Sequence, residues 1–351
     1  MNAAPTIAAQ SSSCSTATVE EDREVVIGKR LVEVVLSSFP NTEYAWVRGY
    51  STVGVQLEQS KAFRLGSVVV MLFSGSFSHP VAPVMKWVGN RLELTMQPSV
   101  ELPHDVYLFL LTPYDATAEG AEAKTRALLD VTAGLLIAAM SPSIAVGRLF
   151  EYQEHTKELL AHVASKPMLV PGFFPVPVHD RERVRLVCDI ADDIPQMKEK
   201  KRNRVTLSLR WYAQAYEEQD HVDQFIKFWV ALEALVMSEG RAKLLLELIA
   251  SAYGMSERDA DTRFGINAIA QLRGDILHGG KTPSLHGTLM RMVAALYEDA
   301  LMVKVGKPIL GSAAKVYPKK TFRLHDYVNN PRMPERTTLP VDTRGDGETK
   351  S

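Results

Sequence analysis

Partway along this chain the spacing of apolar residues changes, and that change restricts the fold more than any other feature. Up to about residue 115 they alternate or cluster in short β-branched and aromatic runs. From residue 119 onward they recur every third or fourth position. Alternation buries one face of a strand, and the longer period buries one stripe of a helix. Two such patterns in separate blocks predict an α+β fold: a mainly β N-terminal domain, sandwich or barrel-like, followed by an α-helical bundle. A chain of 351 residues has room for two domains, each with a core of its own.

The β-rich domain is expected over 20–118. Residues 29–39, 43–58, 67–77 and 105–113 read as strands, and 67–77 is continuous enough to suit a strand covered on both faces. Within 82–98, Gly89-Asn90 separates two alternating segments, which is a hairpin signal. The block shows no phosphate-loop glycines, metal-ligand cluster or nucleophile elbow, so its glycines and prolines read as turn chemistry. Residues 119–180 read as a helical connector, with helices over 121–140 and 145–165, and a proline-rich linker over 166–180. The apolar run 127–140 carries Asp130 and is too short to span a bilayer, so a buried helix is predicted and no membrane partner.

The helical domain is expected over 181–310. The run KEKKRNR, 198–204, leads into a helix over 205–219, on which Trp211 and Tyr212 read as core. Asp220 suits the cap of the next helix, whose stripe is Phe225, Phe228, Trp229, Leu232, Leu235 and Val236. A helix over 241–252, a short one capped by Ser256, and a last one from Pro283 to about Val305 complete the set. Residues 1–19 and 325–351 are polar and read as disordered tails. Two cysteines, Cys14 and Cys188, are too few for a disulfide scaffold, and 1–19 has no export signal, so a cytoplasmic protein is expected. A net charge of -1 gives no global basic field, so nucleic-acid binding would need a local patch.

The stretch AIAQLRGDILHGG, 268–280, carries the chemistry. Ile269, Leu272, Ile276 and Leu277 fall at helical spacing, and Gly279-Gly280 supply a stop. His278 is then the last side chain before the cap, with Arg273 about 7.5 Å back along the axis. An imidazole can move a proton on or off a ribose 2′-hydroxyl. A guanidinium can hold a phosphate as negative charge builds. Spacing alone is a weak warrant. A looser version of the pair, Arg148 and His155, occurs upstream and reads as solvated or satisfied surface groups, and a histidine in the last helical turn also complements the helix dipole. Glu233, at the edge of its helix stripe, is either a carboxylate that holds Arg273 or a boundary residue facing water. Lys198, Lys200, Lys201, Arg202 and Arg204 are either a solvated helix face or contacts to RNA phosphates.

The motifs RVTLSLRWYAQAYEEQDHVDQFIKFWVALEALV, 204–236, and LRGDILHGG, 272–280, come in an order that resembles the HEPN domain, closest to the Apea-like HEPN proteins. The resemblance covers roughly 185–305. It departs at Gly274, where the HEPN nuclease motif usually places Asn, Asp or His after the arginine, while Asp275 fits the pattern. The resemblance implies a compact helical bundle that pairs as a homodimer, bringing two Arg-x4-His motifs to one cleft. It implies a metal-independent RNA endonuclease with no cofactor, in phage defence or a toxin-like system. Arg273 would bind the scissile phosphate and His278 would serve as general acid or base, with Glu233 and Asp275 in support. The β domain would sense an unknown trigger or partner. The same fold also serves as a non-catalytic module for dimerisation or for binding nucleic acid or protein, and a metabolic accessory role stands as a third reading.

Overall fold

A computed structural model describes residues 43–52, 61–88, 91–141, 144–145, 147–155, 179–236, 242–280 and 283–329. The expected strand over 29–39, the tail 1–19 and most of the proline-rich linker lie outside the described residues. The α+β order holds: an antiparallel sheet comes first and a helical region follows.

Strands β1 (Tyr44–Ser51), β2 (Lys61–Leu65), β3 (Val68–Val88), β4 (Arg91–Tyr114) and β5 (Gly147–His155) form one sheet in the order β2-β3-β4-β1-β5. Even strand spacing predicts a sandwich or barrel-like arrangement; the described strands make this one open sheet. The reason lies in β3 and β4. The segments that read as separate short strands join into one long pair of strands, ending where Val88 pairs with Arg91; the predicted Gly89-Asn90 turn itself lies outside the described residues. Val69 and Met71 are buried, as are their alternating neighbours Val68 and Val70, so this part of β3 is covered on both faces as its composition predicts.

Helix α1 (Ala121–Ala139) follows β4, and its apolar half is buried from Leu129 onward. The helix predicted over 145–165 is instead β5 across 147–155, antiparallel to β1 at the sheet edge. The register with β1 shifts between Gly49 and Tyr50, a bulge that brings Arg148 and Glu151, three apart, to one face.

The bundle consists of α2 (His179–Gln196), α3 (Glu199–Tyr216), α4 (His221–Val236), α5 (Ala242–Tyr253), α6 (Glu257–Phe264), α7 (Ile266–Leu277), α8 (Gly287–Val305) and α9 (Ser312–Val316). The basic run forms the first turns of α3 itself, earlier than the predicted helix start. Asp220 caps α4, accepting from the backbone N–H of Val222 at 2.8 Å and of Asp223 at 3.0 Å. All six predicted stripe residues of α4 are buried. The cap of α6 is Ser256, accepting from the Asp259 N–H at 3.1 Å. Pro283 does not start α8. Ser284 and Leu285 form a short strand β6, and His286 caps the helix through the Thr288 N–H.

Sheet and bundle share one core. Trp46, Tyr50, Val70, Leu72, Leu108 and Leu110 on one sheet face join the buried side chains of α1, α3, α4 and α8. Between α1 and α3 the backbones nearly touch: a Cβ on Gly134 would lie 2.1 Å from the Leu209 carbonyl oxygen. At the far end, regular structure continues past the point where a tail was expected. Phe322 lies over Gly265, and its N–H donates to the Thr262 carbonyl at 2.8 Å. Strand β7 (Val328–Asn329) then pairs with β6, so residues 322–329 clasp the segment just before α7 and the segment just after its loop.

Candidate functional site

Helix α7 ends as its glycines predict. The His278 N–H closes the last turn on the Gly274 carbonyl at 2.9 Å. Gly279 lies so close that a Cβ would meet the Asp275 carbonyl oxygen at 2.6 Å, and Gly280 has φ +60°. His278 is exposed, and no hydrogen bond reaches its ring among the described residues.

Arg273 sits deeper. One terminal nitrogen of its guanidinium donates to Glu233 Oε2 at 3.0 Å, while Trp229 Nε1 donates to Glu233 Oε1 at 2.9 Å. Both carboxylate oxygens of Glu233 are therefore committed, and the arginine is tethered from α4. The two side chains are only 25% and 19% exposed, so water screens this pair less than a surface bridge. Arg273 Nε is buried and has no hydrogen-bond partner. Of the two readings of Glu233, the geometry gives the one in which it holds Arg273. Beside them, a Cβ on Gly274 would meet nothing within 4 Å, so there is room for the side chain that the resemblance expects there. Asp275 is half-buried on the same turn.

The basic run occupies a different helix. Lys198 is the N-cap position of α3, followed by Lys200, Lys201, Arg202 and Arg204. Arg202 reaches back to the Pro195 carbonyl at 3.4 Å. No ion pair neutralises any of the five among the described residues, and no contact joins them to Arg273. Lys200, Asn203, Arg204, Leu207 and Glu199 line a shallow hollow of about 410 Å³. Trp211 and Tyr212 pack toward the core, Tyr212 fully, so neither is a stacking platform on this surface.

A third constellation left a single trace in the sequence. Arg48 on β1 is buried at the junction of sheet and bundle. It donates to Asp130 of α1 at 2.6 Å and to Glu151 of β5 at 3.0 Å. Gln214 of α3 donates to the other Asp130 oxygen at 3.1 Å. Arg148 ties Glu151 to Glu217 through two further ion pairs. Burial alone would raise the Glu151 carboxyl, but bonds from Arg48 and Trp46 hold it below the ordinary carboxylate range. Burial pushes the Tyr50 hydroxyl, which lies between Arg48 and Glu217, well above its ordinary value. Arg148 is thus a satisfied group, as expected, although it sits on a strand. Asp130 in an apolar helix was the one visible signal, since a buried carboxylate requires a cationic partner.

No helix among the described residues is long and apolar enough to cross a membrane. No group of three or more His, Cys, Asp or Glu side chains among them is arranged to hold a metal ion. No protein-family model matches the chain, and no curated protein or solved structure matches it.

Proposed function

We propose that this protein is an RNA endonuclease of the HEPN type, working as a homodimer without a metal ion. The observation that supports this reading is the tether between Glu233 and Arg273. It holds a cation near the end of a helix whose last side chain is a solvent-exposed imidazole. In the proposed reaction one imidazole takes the proton of a ribose 2′-hydroxyl, and the oxygen attacks the adjacent phosphorus. The 5′-oxygen leaves with a proton from a second imidazole, giving a 2′,3′-cyclic phosphate and a 5′-hydroxyl end. A monomer brings one His278, so a facing copy would supply the other. Arg273 would stabilise the charge that builds on the phosphate.

The same tether favours a second reading. Glu233 offsets the charge of Arg273 before any phosphate arrives, and Gly274 offers no polar side chain to help. Both suit a non-catalytic module that pairs and binds nucleic acid or protein. Pure protein incubated with RNA in EDTA, beside a His278→Ala variant, separates the two. The nuclease reading expects cleavage by the unmodified protein alone, with cyclic phosphate ends. Intact RNA with the unmodified protein, or equal cleavage by both, overturns it in favour of the binding module.

A further inference from the structure

Lys304, in the last turn of α8, carries no ion pair among the described residues. Arg204 and Lys201 of α3 are the charges that act on it, and no carboxylate lies within ion-pair distance of any of the three among the described residues. Burial, reinforced by these two neighbouring cations, holds the Lys304 ammonium below its ordinary value. Three like charges from two helices thus act on one another with no carboxylate between them in an ion pair. The next lysine, Lys307, is different: it is neutralised by Asp193 at 2.8 Å. The crowding is local to the surface where α3 begins and α8 ends.

The hollow beside this cluster supplies the second half of the argument. Lys200 and Arg204, one turn apart, share its wall with Glu199, Asn203 and Leu207, and Leu207 is 44% exposed. Residues three or four apart on a helix lie about 5–6 Å from one another, so the cations form a short row rather than a point. We infer that Lys201, Arg204 and Lys304 grip consecutive phosphates of a single-stranded nucleic acid, with a base or ribose seated in the hollow against Leu207. A single strand fits better than a duplex, whose base faces are stacked away from such an apolar contact. An anionic membrane fits worse, because membrane docking uses apolar side chains that protrude, and Leu207 lines a recess. The inference extends the RNA reading above but stands on binding alone, whether or not His278 cleaves.

The test uses the full chain carrying His278→Ala, in EDTA, so that cleavage plays no part. Fluorescence anisotropy of labelled oligouridylate and oligothymidylate is read over a series of salt concentrations. Lys304→Gln and Lys201→Gln should each weaken binding about threefold to tenfold, and each should reduce the salt slope by about 0.7 for every phosphate it no longer neutralises. Lys124→Gln, on the first turn of α1, should change neither. Lys304→Gln should not lower the thermal midpoint, since it relieves a crowded charge; should it fail to fold, the exposed Lys201→Gln decides by itself. Equal weakening for both oligonucleotides means that the phosphate backbone alone is read, and weakening for RNA alone adds a ribose contact. Unchanged affinity and slope in the variants would overturn the inference. So would equal displacement by polyglutamate, or binding to phosphatidylglycerol vesicles without binding to either oligonucleotide. RNA left intact by the unmodified protein, with these affinities as expected, would remove the nuclease and keep the binding surface.

Discussion

Arg48 and Asp130 meet at 2.6 Å with side-chain exposures of 1% and 9%, joining the second strand from the sheet edge to helix α1. A buried pair of this kind adds little net stability over an apolar equivalent, but removing one member leaves a charge stranded. Asp130→Ala should therefore destabilise the protein by about 3–5 kcal/mol in urea unfolding. A change under about 1 kcal/mol, the scale of an exposed pair, would mean that Glu151 alone can satisfy Arg48.

The same junction sets a response to acid. Glu151 titrates below its ordinary value of 4.5 in the folded protein, so the unfolded chain binds its proton first as the pH falls. Its contribution is complete above the unfolded value and is lost as the pH drops through the lower folded one. Thermal midpoints measured downward from about pH 6 should fall in that acid range, and Glu151→Gln should flatten this part of the curve. An unaltered acid limb in the variant would assign it to other carboxylates.

Where α1 crosses α3 there is no room for a side chain. Gly134→Ala would force a methyl group onto the Leu209 carbonyl oxygen, and the backbones would have to separate. The expected cost is about 2–3 kcal/mol. A neutral result in denaturant titration would show that the two helices can slide apart freely.

Glu233→Gln keeps the size of the tether and removes its charge. If Arg273 acts on a phosphate, cleavage should fall about tenfold or more through kcat, with the thermal midpoint lower by only a few degrees. Loss of stability with cleavage intact would make the pair a purely structural contact.

Gly274 gives the opposite kind of variant. It lies inside α7 with open space beside it, so Gly274→Ala should stabilise the helix by about 0.5–1 kcal/mol. Gly274→Asn should be tolerated as well, and it restores the polar group of the resembled motif. RNA cleavage by Gly274→Asn above that of Gly274→Ala would show that the site accepts the chemistry.

The helices were easier to read than the sheet, for a physical reason. In α4 every third or fourth residue is apolar and buried, because the helix lies on a core shared by its neighbours. The caps at Asp220 and Ser256 were legible because they act within three residues. By contrast, β5 turns Glu151 inward to Arg48 while Leu149 stays 40% exposed, the reverse of the usual pattern for a strand. Only the long-range pairing with β1 explains it, and no local rule contains that information. Likewise the contact between Glu233 and Arg273 was visible as a carboxylate at a stripe edge, whereas the link of Lys304 to Arg204 and Lys201 crosses about a hundred residues of chain and has no local pattern.

The clasp formed by residues 322–329 has a bearing on biosynthesis. Phe322 secures the entry to α7, and β7 secures the exit. During translation, the helix carrying Arg273 and His278 thus emerges some fifty residues before the segment that secures it. A ribosome-bound fragment ending near residue 316 would hold the complete Arg-x4-His sequence but neither of these fastenings.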